Sequence, residues 1–120
     1  MKKKTLVFGA SLKPERYANL AIHRLKASGH EVVAFGIEKG TIAGVNITTE
    51  LVPYNNIDTI TLYLRAVNQR TYYNYLMGLN PNRILFNPGT ENPEFFELLR
   101  KENIVFETAC ALVLLSTNQY

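Results

Sequence analysis

Short apolar runs alternate along the chain with stretches in which apolar residues recur every three to four positions. Residues 5–8 (Thr5, Leu6, Val7, Phe8) form a run ending at Gly9, the pattern of a strand buried on both faces. Over residues 16–28, Ala18, Ala21, Ile22 and Leu25 fall on one helical face and Arg16, Asn19, His23 and Lys26 on the other. Ser28 and Gly29 stop that helix, and residues 31–35 resume as strand up to Gly36.

The alternation continues. Residues 41–47 read as a small strand or turn, and Pro53, Tyr54, Asn55 and Asn56 as turn chemistry. A strand is predicted over 57–64. A helix follows over 66–79, with Val67, Tyr72, Tyr75, Leu76 and Leu79 at helical spacing, ended by Asn80 and Pro81. Residues 83–86 give a further strand, closed by Asn87, Pro88 and Gly89. A helix over 93–102 carries Phe95, Phe96, Leu98 and Leu99, and the last strand spans 104–106. Strands alternating with helices predict an α/β fold, a three-layer sandwich with a mostly parallel sheet of about five strands and helices on both faces.

In such sheets ligands bind beyond the carboxyl ends of the strands. The segments after Phe8, Phe35, Leu64, Phe86 and Phe106 therefore converge on one edge. Gly9 and the small Ala10 let backbone N–H groups approach a phosphate, and the following helix offers its unpaired amides and positive dipole end. The loop departs from the dinucleotide fingerprint, because Ser11 stands where a second glycine is required. The nearest acid for a ribose diol after the second strand is Glu38, slightly late.

Length and charge narrow this further. The 120 residues make one domain, 1–120, with 47% hydrophobic and 19% charged residues and a net charge of +3. The charge allows an anionic ligand, but the basic residues are scattered, which argues against nucleic acid. No apolar run approaches the roughly 20 residues of a membrane span. The lone Cys110 suits a reducing compartment, so a cytoplasmic location is expected. It is either an inert buried thiol or one within reach of a ligand thiol at the same sheet edge. His23 and His30 read as surface residues, and Asp58, Glu91, Glu94 and Glu107 form no pair whose spacing demands acid–base work.

Gly9-Ala10-Ser11, Pro14, Arg16-Tyr17-Ala18, Gly29, Glu31-Val32, Pro88-Gly89 and Cys110 together resemble the small stand-alone CoA-binding domains. These are similar to the CoA-binding domain of the succinyl-CoA synthetase alpha subunit and have a Rossmann-like fold. The resemblance runs from about Leu6 to Val113. It implies coenzyme A, or an acyl-CoA, as a small-molecule nucleotide ligand, with the diphosphate on Gly9, Ala10, Ser11, Arg16, Tyr17 and Ala18 and an extra phosphate contact from Lys13. Phe35, Gly36, Ile37 and Lys39 would lie at the adenosine end, and Arg65, Asn87, Pro88 and Gly89 elsewhere on the ligand edge. Where the family carries Val-Asn-Pro-Lys, this chain has Phe35-Gly36-Ile37-Glu38-Lys39, an altered adenosine pocket. The phosphohistidine loop of the synthetase relatives lies beyond this domain, so the expected function is binding without chemistry of its own. Two alternatives stand beside it: an NAD(P)-binding domain of a minimal oxidoreductase, and a ligand-free interaction module that dimerises through Tyr72, Tyr73 and Tyr75.

Overall fold

The computed structural model describes residues 2–120. A seven-stranded sheet runs through it. Its strands are β1 (Thr5–Phe8), β2 (Val32–Phe35), β3 (Gly40–Ile42), β4 (Val45–Thr48), β5 (Thr59–Leu62), β6 (Arg83–Phe86) and β7 (Phe106–Thr108). The spatial order is β3-β4-β2-β1-β5-β6-β7, parallel throughout except for the β3–β4 hairpin. That hairpin accounts for the two strands beyond the expected five. Its turn needs left-handed backbone at both Ala43 and Gly44, a geometry only the glycine adopts freely, so the local sequence announces it weakly.

Alternation along the strands separates two cores. Val7, Ala34 and Ile47 pack under α1 (Tyr17–Ala27), against Ala18, Ile22 and Leu25. Leu6, Phe8, Phe35, Ile60, Ile84 and Phe86 face α2 (Tyr73–Gly78) and α3 (Pro93–Lys101), meeting Leu76, Phe95 and Leu99. A fourth helix, α4 (Ala111–Ser116), was not expected and packs beside α1. The layers therefore run helix, sheet, helix.

The predicted helix over 66–79 is instead two 3₁₀ turns, Ala66–Asn68 and Arg70–Tyr72, followed by α2. Gln69 is the cause. It is fully buried, and its Nε2 donates to the carbonyls of Leu64 and Thr90, both at 2.8 Å. Asn92 Nδ2 donates to Gln69 Oε1 at 2.9 Å and to the Tyr73 hydroxyl at 2.7 Å. A polar residue turned inward to serve two loop carbonyls is incompatible with one continuous amphipathic helix. Val67, expected on the apolar face, is 80% exposed. Tyr73 stacks on Phe95, and Tyr72 packs edge-on against Phe8, so these rings belong to the core.

Two further expectations are corrected. His30 is buried, not a surface residue: the Lys3 amide donates to its Nδ1 at 2.9 Å and its ring packs 5.0 Å from that of Tyr120. The last strand is displaced to Phe106–Thr108, because Ile104 closes the end of α3, where its amide donates to Leu99 O.

Candidate functional site

β2 lies on one side of β1 and β5 on the other, so strand order reverses at β1. A cleft of about 560 Å³ opens at this point beyond the carboxyl ends of the strands, where an open α/β sheet holds its ligand. Its walls come from the β1–α1 loop and the first turn of α1 (Gly9 to Lys13, Glu15 to Ala18), with Ile37 and Glu38 beyond β2. Tyr63 and Leu64 beyond β5, and Asn87, Pro88 and Thr90 beyond β6, complete them.

The loop is stitched to β2. The amides of Gly9 and Ala10 both donate to the Phe35 carbonyl, at 2.9 and 2.8 Å. Gly9 sits at φ +103°, which other residues rarely adopt. Gly36 permits the approach, since a Cβ there would lie 2.5 Å from the Ala10 carbonyl oxygen. Further along, a Cβ on Gly40 would lie 2.5 Å from Leu12 Cδ2, so the loop also leans on the start of β3. Asn19 is buried rather than on the polar face of α1, and its Nδ2 donates to Ser11 O at 3.0 Å, holding the loop from below. Its spacing alone gave no sign of this, because a polar residue at the edge of a helical stripe reads as solvent-facing.

The start of α1 is unusual in what it lacks. Its N-cap residue, Arg16, makes no side-chain cap and the first turn holds no acid. α3 has the ordinary solution: Asn92 Oδ1 accepts from Phe95 N, Pro93 opens the helix and Glu94 sits in its first turn. Among the described residues, the amides of Ser11, Leu12, Tyr17 and Ala18 have no partner in the protein. With Gly9 and Ala10 amides already used, these four donors and the cations Lys13 and Arg16 make this wall receptive to an anion.

Apart from Glu38, the remaining walls are apolar or structural. Tyr63 lines the cleft, its hydroxyl is buried, and burial pushes its pKa up. Asn87 Nδ2 donates to Thr61 Oγ1 at 2.8 Å and to Leu62 O at 3.0 Å, while its Oδ1 accepts from Ala111 N at 2.9 Å. It ties β5, β6 and α4 together beneath the cleft floor. Ile37 is 92% and Tyr17 57% exposed, which leaves two apolar side chains on the rim with surface to cover.

Of the residues singled out in the sequence, Gly9, Ala10, Ser11, Lys13, Arg16, Tyr17, Ala18, Ile37, Asn87 and Pro88 border this cleft. Phe35 points into the core, stacked on Phe8 with ring centroids 4.5 Å apart. Gly36 lies behind the loop. Lys39, Arg65 and Gly89 are exposed and outside the cleft lining. Cys110 is half-buried at the start of α4, also outside it. Leu12, Glu15, Tyr63, Leu64 and Thr90 border the cleft without having been singled out. Their signal is topological, because each follows a strand end or precedes a helix at the point where strand order reverses.

Among the described residues, no helix is long and apolar enough to cross a membrane, and no three His, Cys, Asp or Glu are placed to hold a metal ion. A family model described as "CoA binding domain" matches residues 3–116. An uncharacterized protein of known crystal structure shares 43% identity, with a TM-score of 0.97 over 100% of this chain and 99% of that one. A Thermus thermophilus protein (17% identity, TM-score 0.86, 99% and 91% covered) has the same fold. So does a hypothetical protein from Pyrococcus horikoshii (19%, 0.85, 98% and 84%). No curated protein matches the chain.

Proposed function

We propose, from the premise that this chain belongs to the CoA-binding domain family, that it binds a CoA-type nucleotide in the cleft at the β1 switch point, with the diphosphate against the start of α1. The observation that carries this reading is the uncapped, acid-free first turn of α1, where the amides of Tyr17 and Ala18, with those of Ser11 and Leu12 in the loop before it, lie unpartnered beside Lys13 and Arg16. A diphosphate diester carries two negative charges, and this wall meets them with a helix N-terminus and two cations, Lys13 and Arg16, offset in part by Glu15. The residues present thus fit that part of the ligand.

The other contacts follow from the cleft's shape. Ile37 and Tyr17 on the rim have apolar surface that an adenine ring would cover. Coenzyme A bound here would bring a thiol that carries acyl groups as thioesters; the chain's own residues bind and orient the nucleotide.

Titration calorimetry with CoA and NAD on the native protein and on Arg16→Ala tests this. CoA should bind more tightly than NAD, and Arg16→Ala should weaken it by about ten- to a hundredfold, the worth of a charge-assisted phosphate contact of roughly 1.5–3 kcal/mol. Unchanged affinity in Arg16→Ala would sink the diphosphate placement. No binding of CoA by the native protein would sink the ligand assignment itself.

A further inference from the structure

The charged side chains lining the cleft are Lys13, Glu15, Arg16 and Glu38. Both cations belong to the loop and helix start, where the diphosphate is assigned. Beyond β2 the lining residues are Ile37 and Glu38, whereas Lys39, the next residue, is exposed and does not border the cleft. In a βαβ nucleotide site the segment after the second strand meets the adenosine ribose, and a carboxylate that borders the cleft there, though three residues past the end of β2, suits a free diol as hydrogen-bond acceptor. A phosphate on that ribose would face a like charge with no cation of the cleft wall left to offset it.

We infer that Glu38 makes the site selective for a nucleotide with an unmodified adenosine ribose, so that CoA lacking its 3′-phosphate is the preferred ligand over CoA itself. The inference rests on the binding reading above and adds the specificity of its adenosine end. Glu38 is exposed and takes part in no hydrogen bond or ion pair within the described structure, so replacing it does not disturb the fold. Leu12 seated over Gly40 keeps the loop against the start of β3, next to the connection that carries Glu38, which fixes the carboxylate's wall relative to the phosphate-binding wall.

The experiment is calorimetric titration of CoA and of dephospho-CoA into the native protein, Glu38→Gln, Glu38→Lys and Lys39→Ala, each at low and high salt. Dephospho-CoA should bind the native protein about three- to tenfold more tightly than CoA, the scale of a solvent-exposed repulsion with a doubly charged phosphate. The gap should close in Glu38→Gln, reverse in Glu38→Lys, shrink at high salt and stay unchanged in Lys39→Ala. Equal affinities in the native protein, or tighter CoA, would overturn the inference while leaving the binding reading intact. A loss confined to CoA in Lys39→Ala would overturn it too, by making Lys39 the reader of a 3′-phosphate. If neither nucleotide binds, the binding reading has failed and the inference falls with it.

Discussion

Replacing Gly36 by alanine adds one methyl group where the structure has room for none. The new Cβ would stand 2.5 Å from the Ala10 carbonyl oxygen and 3.1 Å from Ile47 Cγ2. The loop cannot retreat freely, because the amides of Gly9 and Ala10 both hold the Phe35 carbonyl one residue before the insertion. Overpacking of this kind costs about 1–3 kcal/mol, and lengthening the two hydrogen bonds adds a fraction of the roughly 0.5–1.5 kcal/mol that each contributes. Against this stands a gain of about 0.4–1 kcal/mol from restricting the unfolded chain. The net destabilisation is about 1–3 kcal/mol, which lowers the melting temperature by roughly 5–15 °C in a domain of this size. Gly78→Ala is the control: it closes α2, has open space around the added Cβ, and should melt at or slightly above the native temperature. Calorimetric melts of the three proteins, with CoA titrations alongside, provide the assay. Gly36→Ala should lose both stability and affinity. A melting temperature within about 2 °C of native would refute the close approach of loop and strand end as a real constraint.

Two other perturbations test the supports of the site. Asn87→Ala removes three buried hydrogen bonds and leaves Leu62 O and Ala111 N without partners. It should cost about 2–4 kcal/mol in urea unfolding and raise amide exchange first in α4. The His30 pKa is held below the ordinary 6.5 by burial and by the Lys2 and Lys3 charges, so the folded state takes up a proton less readily than the unfolded chain. Stability is then fully present above about pH 6.5 and declines as pH falls below it. Melts from about pH 8 to about pH 5 should show that decline, and His30→Gln should flatten it.

How much of this was legible beforehand depended on whether a residue's environment is set by its near neighbours. β1, β6 and α3 appeared where the pattern put them, since Leu6 to Phe8 and Ile84 to Phe86 are apolar on both faces and α3 carries its own cap and proline. Asn19 and His30 were misread, and the break in the 66–79 helix at Gln69 went unseen, for a shared reason. Each is a polar residue whose partner is a backbone group distant in sequence or placed by a loop, and only the assembled fold supplies it. At the site, the wall from the β1–α1 loop was visible as a local motif, while the wall from Tyr63, Leu64 and Thr90 required the order of the strands. Lys39 and Glu38 differ by one position, and sequence alone favoured the cation. The chain direction after β2 decides which of them borders the cleft.

The central place of β1 has a consequence for how the molecule is made. As the chain emerges from synthesis, β1, β2 and the β3–β4 hairpin can assemble under α1 as soon as residue 48 is available, because all their pairings are already present. The opposite face of that half-sheet carries Leu6, Phe8 and Phe35, whose covering residues Leu76, Phe95 and Leu99 come much later. β5 must also add to the open edge of β1 by a long-range pairing. Long-range parallel pairing is slow, and an uncovered apolar face beside an unpaired strand edge is prone to misassociation. The half of the sheet that carries the β1–α1 loop is thus the half whose strands can pair first and whose second face is covered last.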